Sequence, residues 1–200
     1  MKQRQKVQIR RGIWFALAGG FAGFLNPALF VVTTPLDAAL WDIFGWGVVH
    51  NIGLGAVFGF AVAYRILEDR DLTEFFSRRK LAVMLLAFEF SWQLAIRTAL
   101  KVAGSYDAIQ DEAIIPGVFG GSVGSLIVGL TWMYFLRSAR NISFIILVVA
   151  IGAIFGALLH IPYVRFADSG WALVVLFVPW QAAIGFILGY YAESPLIKPV

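Results

Sequence analysis

The chain has no cysteine, so neither a disulfide framework nor a thiolate metal site is open to it. It is also short of charge, with Asp, Glu, Lys and Arg together making only 14% of its 200 residues, and it has only two histidines. What fills the space is apolar: 60% of the residues are hydrophobic and the mean hydropathy is +0.80. A chain this short cannot bury so much apolar surface in a water-soluble core, and the excess must face acyl chains. The composition is that of a membrane protein, and no segment reads as a soluble domain.

Six apolar runs approach the roughly 20 residues that cross a bilayer: 13–32, 44–64, 81–100, 115–136, 142–160 and 171–192. Short polar links separate them, at Thr33 to Asp37, Glu68 to Asp71, Gly104-Ser105, Arg137 to Asn141 and Asp168 to Gly170. Residues 72–80 have amphipathic character, with Asp71 placed to cap a short surface helix. The expected fold is all-α, a single transmembrane domain over residues 1–200 with six transmembrane helices. The basic start imitates a signal peptide, but its apolar run continues past the usual length, so the first span is retained.

Basic residues set the orientation, because Lys and Arg stay on the cytoplasmic side. Lys2, Arg4, Lys6, Arg10 and Arg11 lie in the N-terminal tail, and Arg65, Arg70, Arg78, Arg79 and Lys80 in the second link. Arg137, Arg140 and Lys198 bring the same side to thirteen of the sixteen basic residues, so both termini are expected in the cytoplasm. The opposite links are acidic, through Asp37, Asp42, Asp107, Asp111, Glu112 and Asp168. This asymmetry accounts for a pI near 9.6 without a nucleic-acid partner, and it suits a cytoplasmic-type (inner or plasma) membrane.

Three pairs of short motifs recur in the same order. Gly19-Gly20-Phe21-Ala22-Gly23 matches Gly120-Gly121-Ser122-Val123-Gly124, Gly55-Ala56-Val57-Phe58-Gly59 resembles Gly152-Ala153-Ile154-Phe155-Gly156, and Trp92-Gln93-Leu94-Ala95-Ile96 matches Trp180-Gln181-Ala182-Ala183-Ile184. A duplicated unit with an odd number of spans sits upside down relative to its partner, so the matches describe an inverted three-plus-three repeat with halves near 13–100 and 115–192. Gly-rich membrane helices also resemble one another simply because small residues mark close packing.

Within the third span Glu89, Gln93, Arg97 and Lys101 recur every four residues, which makes one polar stripe on a helix. A charge near the middle of the hydrocarbon costs roughly 2.5 to 3.5 kcal/mol, so Glu89 should face protein or water. Glu89 and Arg97 stand about 12 Å apart along the axis, too far for direct contact. Partners must come from Gln93, from Gln181 at the equivalent depth of the sixth span, or from His50, Asn51, Asn26, Ser122 and Ser125. Two readings stay open. The stripe fixes helix register, or Glu89 binds a cation or proton while Gln93, Gln181, Asn51 and His50 bond a small polar or ionic solute. Arg97 belongs to the same candidate site, and Trp92 and Trp180, too deep for an interfacial belt, are candidate cavity walls.

Asn26-Pro27-Ala28 spells the signature triplet of the aquaporin family, but the repeat partner reads Ile127-Val128-Gly129 and the family's second copy is missing. Pro27 suggests a kinked first helix. In length, six spans, cytoplasmic termini and the Ala18-xxx-Ala22 motif, the chain resembles the substrate-binding membrane components of energy-coupling-factor vitamin transporters. That likeness is architectural, and it implies active transport through partner subunits. No nucleophile with a positioned base and no phosphate-cradling loop is present, so the chain is not expected to be an enzyme. The reading that follows is a small-solute transporter, channel or membrane-embedded substrate-binding subunit. The alternatives are an assembly subunit among other membrane subunits and, last, an intramembrane enzyme acting on lipid.

Overall fold

The computed structural model describes residues 2–44, 53–105, 114–136, 139, 141–159 and 174–192. Among these the chain is all-helical, with no strand. The helices are α1 (Lys2–Phe44), α2 (Leu54–Glu68), the single turn α3 (Arg70–Thr73), α4 (Arg78–Ser105), α5 (Ile114–Phe135), α6 (Ile142–Gly156) and α7 (Val174–Tyr190). A 3-10 turn at Ala157–Leu159 extends α6.

Two helices, α4 and α5, are long and apolar enough to cross a membrane, while α6 and α7 are shorter apolar helices of 15 and 17 residues. Large apolar side chains point outward along several helices, with Phe21, Phe60, Leu86, Tyr134 and Ile154 all more than 60% exposed. That many exposed aromatic and branched side chains suits an apolar surrounding better than water.

Several expected boundaries hold and three do not. α5, α6 and α7 fall on the fourth, fifth and sixth apolar runs. The expected first link, Thr33 to Asp37, instead lies inside α1, which continues to Phe44. The link contains no glycine to supply a left-handed stop, and a proline removes one backbone bond without forbidding continuation. α2 begins at Leu54, well inside the expected second run of 44–64. Its N-cap is Gly53, whose φ of +96° is a conformation that a side chain would strain. The surface helix expected over 72–80 is reduced to the one turn of α3, and its cap is Asp69 rather than Asp71. The Asp69 carboxylate accepts the backbone N–H groups of Asp71 and Leu72, which satisfies the first donors of that turn.

Six of the helices pack as a ring in the order α1, α2, α4, α5, α6, α7 and back to α1. Glycines permit the closest approaches. Gly19 of α1 lies against the Gln181 carbonyl of α7, Gly23 lies against Phe177, and from the other side Gly185 and Gly189 meet the backbone of Phe15 and Arg11. The residue numbers run in opposite directions, so α1 and α7 are antiparallel. The same reversed order joins α2 to α4 through Gly55 and Gly59, α4 to α5 through Gly120 and Gly124, and α5 to α6 through Gly121 and Gly156. Small residues bring backbones within van der Waals contact, which drives helix association in a medium without a hydrophobic effect of its own.

Inside the ring, Trp132 is fully buried, with Phe15 edge-on at 6.1 Å and Phe76 tilted at 6.0 Å between ring centroids. Phe58 and Phe88 stack at 5.5 Å, joining α2 to α4. A second, smaller cluster gathers Leu54, Leu176 and Phe177 with Trp92, Leu158 and Trp180.

This packing treats the three recurrent motifs differently. Gly19 and Gly23 of α1 face α7, and their counterparts Gly120 and Gly124 of α5 face α4, which are equivalent positions in a duplicated unit. Gly55 faces α4, however, while Gly152 faces α5, and these are not equivalent. The packing alone does not establish the inverted repeat.

Candidate functional site

Glu89 lies about 16 Å along α4 from its start at Arg78 and is half-buried. Its Oε2 accepts the backbone N–H of Ala56 at 3.1 Å, and its Oε1 accepts the Gln93 side-chain amide at 2.8 Å. Ala56 belongs to the first turn of α2, whose N-cap Gly53 offers no side chain. The four leading N–H groups of a helix have no internal partner, and the summed peptide dipoles favour a negative charge there. Glu89 therefore caps α2 from a neighbouring helix, an arrangement that depends on α2 starting at Leu54.

The candidate residues do not gather in one place. Glu89 and Gln93 are joined directly. Trp92 and Trp180 line one cleft of about 100 Å³ with Phe177, Ala95 and Gly120. Trp92 packs edge-on against Phe177 at 5.2 Å, and the Trp180 indole N–H donates to Ser125 Oγ at 3.2 Å. Gln181 is buried on the α7 face turned to α1. Arg97 is exposed two turns beyond Glu89 and is not part of the cleft lining. His50 and Asn51 lie outside the described residues.

Several interior polar atoms have no hydrogen-bond partner among the described residues. Both amide atoms of Asn26, the indole N–H of Trp92 and the Oε1 of Gln181 are in this position. Asn26 is fully buried and stands seven residues beyond Gly19, almost two turns on the same face of α1. That face meets α7 at Gln181 and Phe177, and Phe177 in turn touches Trp92. Pro179 within α7 also removes the backbone N–H that would bond the Val175 carbonyl, next to the same turn. A buried polar atom without a partner costs about 1–3 kcal/mol, and folded proteins hold few of them. The four atoms of Asn26, Trp92 and Gln181 lie on α1, α4 and α7, Asn26 and Gln181 line none of the described clefts, and Trp132 Nε1 in the core and Arg65 Nε are unpartnered among the described residues as well.

A further constellation was not apparent from the sequence. Arg11, 7% exposed, donates through Nε to Asp69 Oδ2 at 2.6 Å, through Nη2 to Asp69 Oδ1 at 3.0 Å and Asp71 Oδ2 at 2.5 Å, and through Nη1 to the Ala192 carbonyl at 2.9 Å. It ties the start of α1 to the α2–α3 turn and the end of α7. Counting Arg11 only as one of many basic residues hides this role, because its partners are 58, 60 and 181 positions away.

Comparison with protein-family models, with curated proteins and with solved structures finds no match.

Proposed function

We propose that the chain is a six-span integral membrane protein with an inverted three-plus-three repeat and both termini in the cytoplasm, which binds a small polar solute inside its helix ring. It would serve as a transporter, a channel or the membrane-embedded substrate-binding subunit of a transporter. The observation that carries this reading is the group of buried, unpartnered polar atoms on Asn26, Trp92 and Gln181. Their inventory is balanced: Trp92 donates, Gln181 Oε1 accepts and the Asn26 amide does both. A neutral solute with donors and acceptors answers that set, and the indole faces of Trp92 and Trp180 supply an apolar wall. Glu89 takes a different part from the one expected of a ligand carboxylate, since both of its oxygens are engaged by α2 and Gln93. It holds the site's frame.

The assembly-subunit reading draws on that same engagement of Glu89 and on the glycine-tight helix pairs, which give a rigid body. A thermal-shift screen of small polar solutes on the purified protein in lipid nanodiscs separates the two. A solute binding at 100 times its Kd raises stability by about 2.7 kcal/mol, which is readily measured. Absence of any shift across nucleobase, sugar, amide and amino-acid classes, with stoichiometric co-purification of another membrane subunit, would reverse the preference. The orientation is tested separately. Because the chain has no cysteine, single cysteines at Ser77 and Ser105 label without background, and an impermeant maleimide should reach them from opposite sides.

A further inference from the structure

Outside the ring, α1 and α2 leave an open groove of about 950 Å³ along their shared outer side. Its apolar walls include Trp14, Leu17, Phe21, Leu25, Phe60 and Tyr64. It runs from Arg10 to Leu25 of α1, about 22 Å, against about 15 Å for the hydrocarbon of one leaflet. At the Arg10 end it joins a second, polar recess of about 490 Å³, and the two share Arg10, Trp14, Arg65 and Glu68. A polar recess continuous with a long apolar groove has the shape of an amphiphile.

The charge left over in the recess decides which amphiphile. Asp69 and Asp71 are consumed by Arg11, and Glu68 is consumed by Arg65 and the Tyr64 hydroxyl. Arg65 also lies over the Trp14 ring at 5.2 Å, and its Nε is a buried donor with no acceptor. Arg10 and Arg70 make no ion pair among the described residues and are exposed at the rim. Arg11 serves two carboxylates at once, so the recess sets four guanidinium groups against three carboxylates and is net positive, and its uncommitted groups among the described residues are two guanidinium ions and one buried N–H, all donors.

We propose that this bipartite groove is a binding site for an anionic glycerophospholipid, with its phosphate held by Arg10, Arg70 and Arg65 Nε and one acyl chain lying between α1 and α2. Guanidinium groups take phosphate oxygens in paired, charge-assisted hydrogen bonds, and Trp14 sits at the level where indole rings favour the headgroup boundary. The inference rests on the membrane reading given above, because only a bilayer delivers this ligand to the groove.

The test uses the full chain in mixed micelles of phosphatidylglycerol and phosphatidylcholine at equal amounts, with the retained lipid counted by native mass spectrometry. The wild type should hold phosphatidylglycerol in preference. Each basic residue near a headgroup is worth about a fivefold preference, so Arg10→Gln with Arg70→Gln should reduce it about 25-fold. Ala18→Phe, which fills the groove and leaves the charges in place, should remove both lipids. Equal retention of the two lipids by the wild type, or unchanged preference in the double variant, overturns the proposal. Alkaline carbonate extraction is the separate check on the premise: release of the chain from membranes defeats the membrane reading, whereas an inserted chain without lipid preference defeats the groove alone.

Discussion

The Glu89 carboxylate and the Ala56 backbone N–H stand 3.1 Å apart, joining α4 to the first turn of α2. This bond explains an ionisable group in the middle of an apolar helix without assigning it a ligand. The positive end of α2 supplies what water would otherwise supply, and Gln93, four residues along, fixes the second oxygen.

The consequence is a distinct response to two substitutions. Glu89→Ala removes the carboxylate oxygen that accepts the Ala56 N–H in α2's first turn and should cost about 1–3 kcal/mol in detergent melting experiments. Glu89→Gln keeps an oxygen for Ala56 and loses only the interaction between charge and dipole, a change of under about 1 kcal/mol. Equal damage from both would show that the charge itself, and not the hydrogen bond, is what α2 requires.

Glycine contacts give a sharper contrast within one helix. A Cβ on Gly19 would overlap the Gln181 backbone carbonyl, while on neighbouring Gly20 the nearest atom is Ala182 Cβ at 3.5 Å, an ordinary contact. Gly19→Ala should therefore push α1 from α7 and cost about 1–3 kcal/mol, with Gly20→Ala near neutral or slightly stabilising through helix propensity. Comparable melting of the two variants would mean that α1 and α7 do not approach as closely as this.

Helix identity was legible from the sequence because apolar runs of this length are far longer than strands and fit helices. The starts of α5 and α6 fall within a residue of the apolar runs, and the structure adds a cap not expected from the sequence, Asn141 accepting the Ser143 N–H at 2.9 Å. The continuation of α1 through Thr33-Thr34-Pro35 was not legible, since proline next to polar residues is a turn signal that a long helix can absorb. Of the candidate site, Trp92 and Trp180 line one cleft, as their depth in the apolar runs suggests for cavity walls, and the Glu89–Gln93 bond follows from helical spacing. The cap on Ala56 could not be foreseen, because it depends on where α2 starts. Arg11 was missed for a related reason: nothing local distinguishes it from Arg10, although one is buried in a network and the other exposed.

That difference between adjacent arginines is itself measurable. Arg11→Met strands the Asp69 carboxylate and the Ala192 carbonyl and should cost about 3 kcal/mol, whereas Arg10→Met should leave melting almost unchanged. Arg11→Lys keeps the charge but cannot fork to two carboxylates and a carbonyl, so it should recover only part of the loss. Asp71→Asn, at a side chain 54% exposed, should cost under about 1 kcal/mol. A melting curve for Arg11→Met that overlays the wild type would show that the three helix ends do not depend on this junction.

Asn26 separates a binding site from a packing defect. Its amide is fully buried with neither atom bonded among the described residues, so in the empty protein it is a cost of about 1–3 kcal/mol. Asn26→Leu keeps a similar volume and removes that cost, and the empty variant should melt higher than the wild type. Trp92→Phe should behave in the same direction but more weakly, because it removes one unpartnered N–H and some contact with Phe177. Both should lose the stabilisation that a bound solute confers, since the hydrogen bonds that solute needs are gone. Greater stability with binding lost is the signature of a polar group kept for a ligand. Lower stability in Asn26→Leu would place a bonding partner on that amide in the folded protein, and the solute-site reading would lose its principal support.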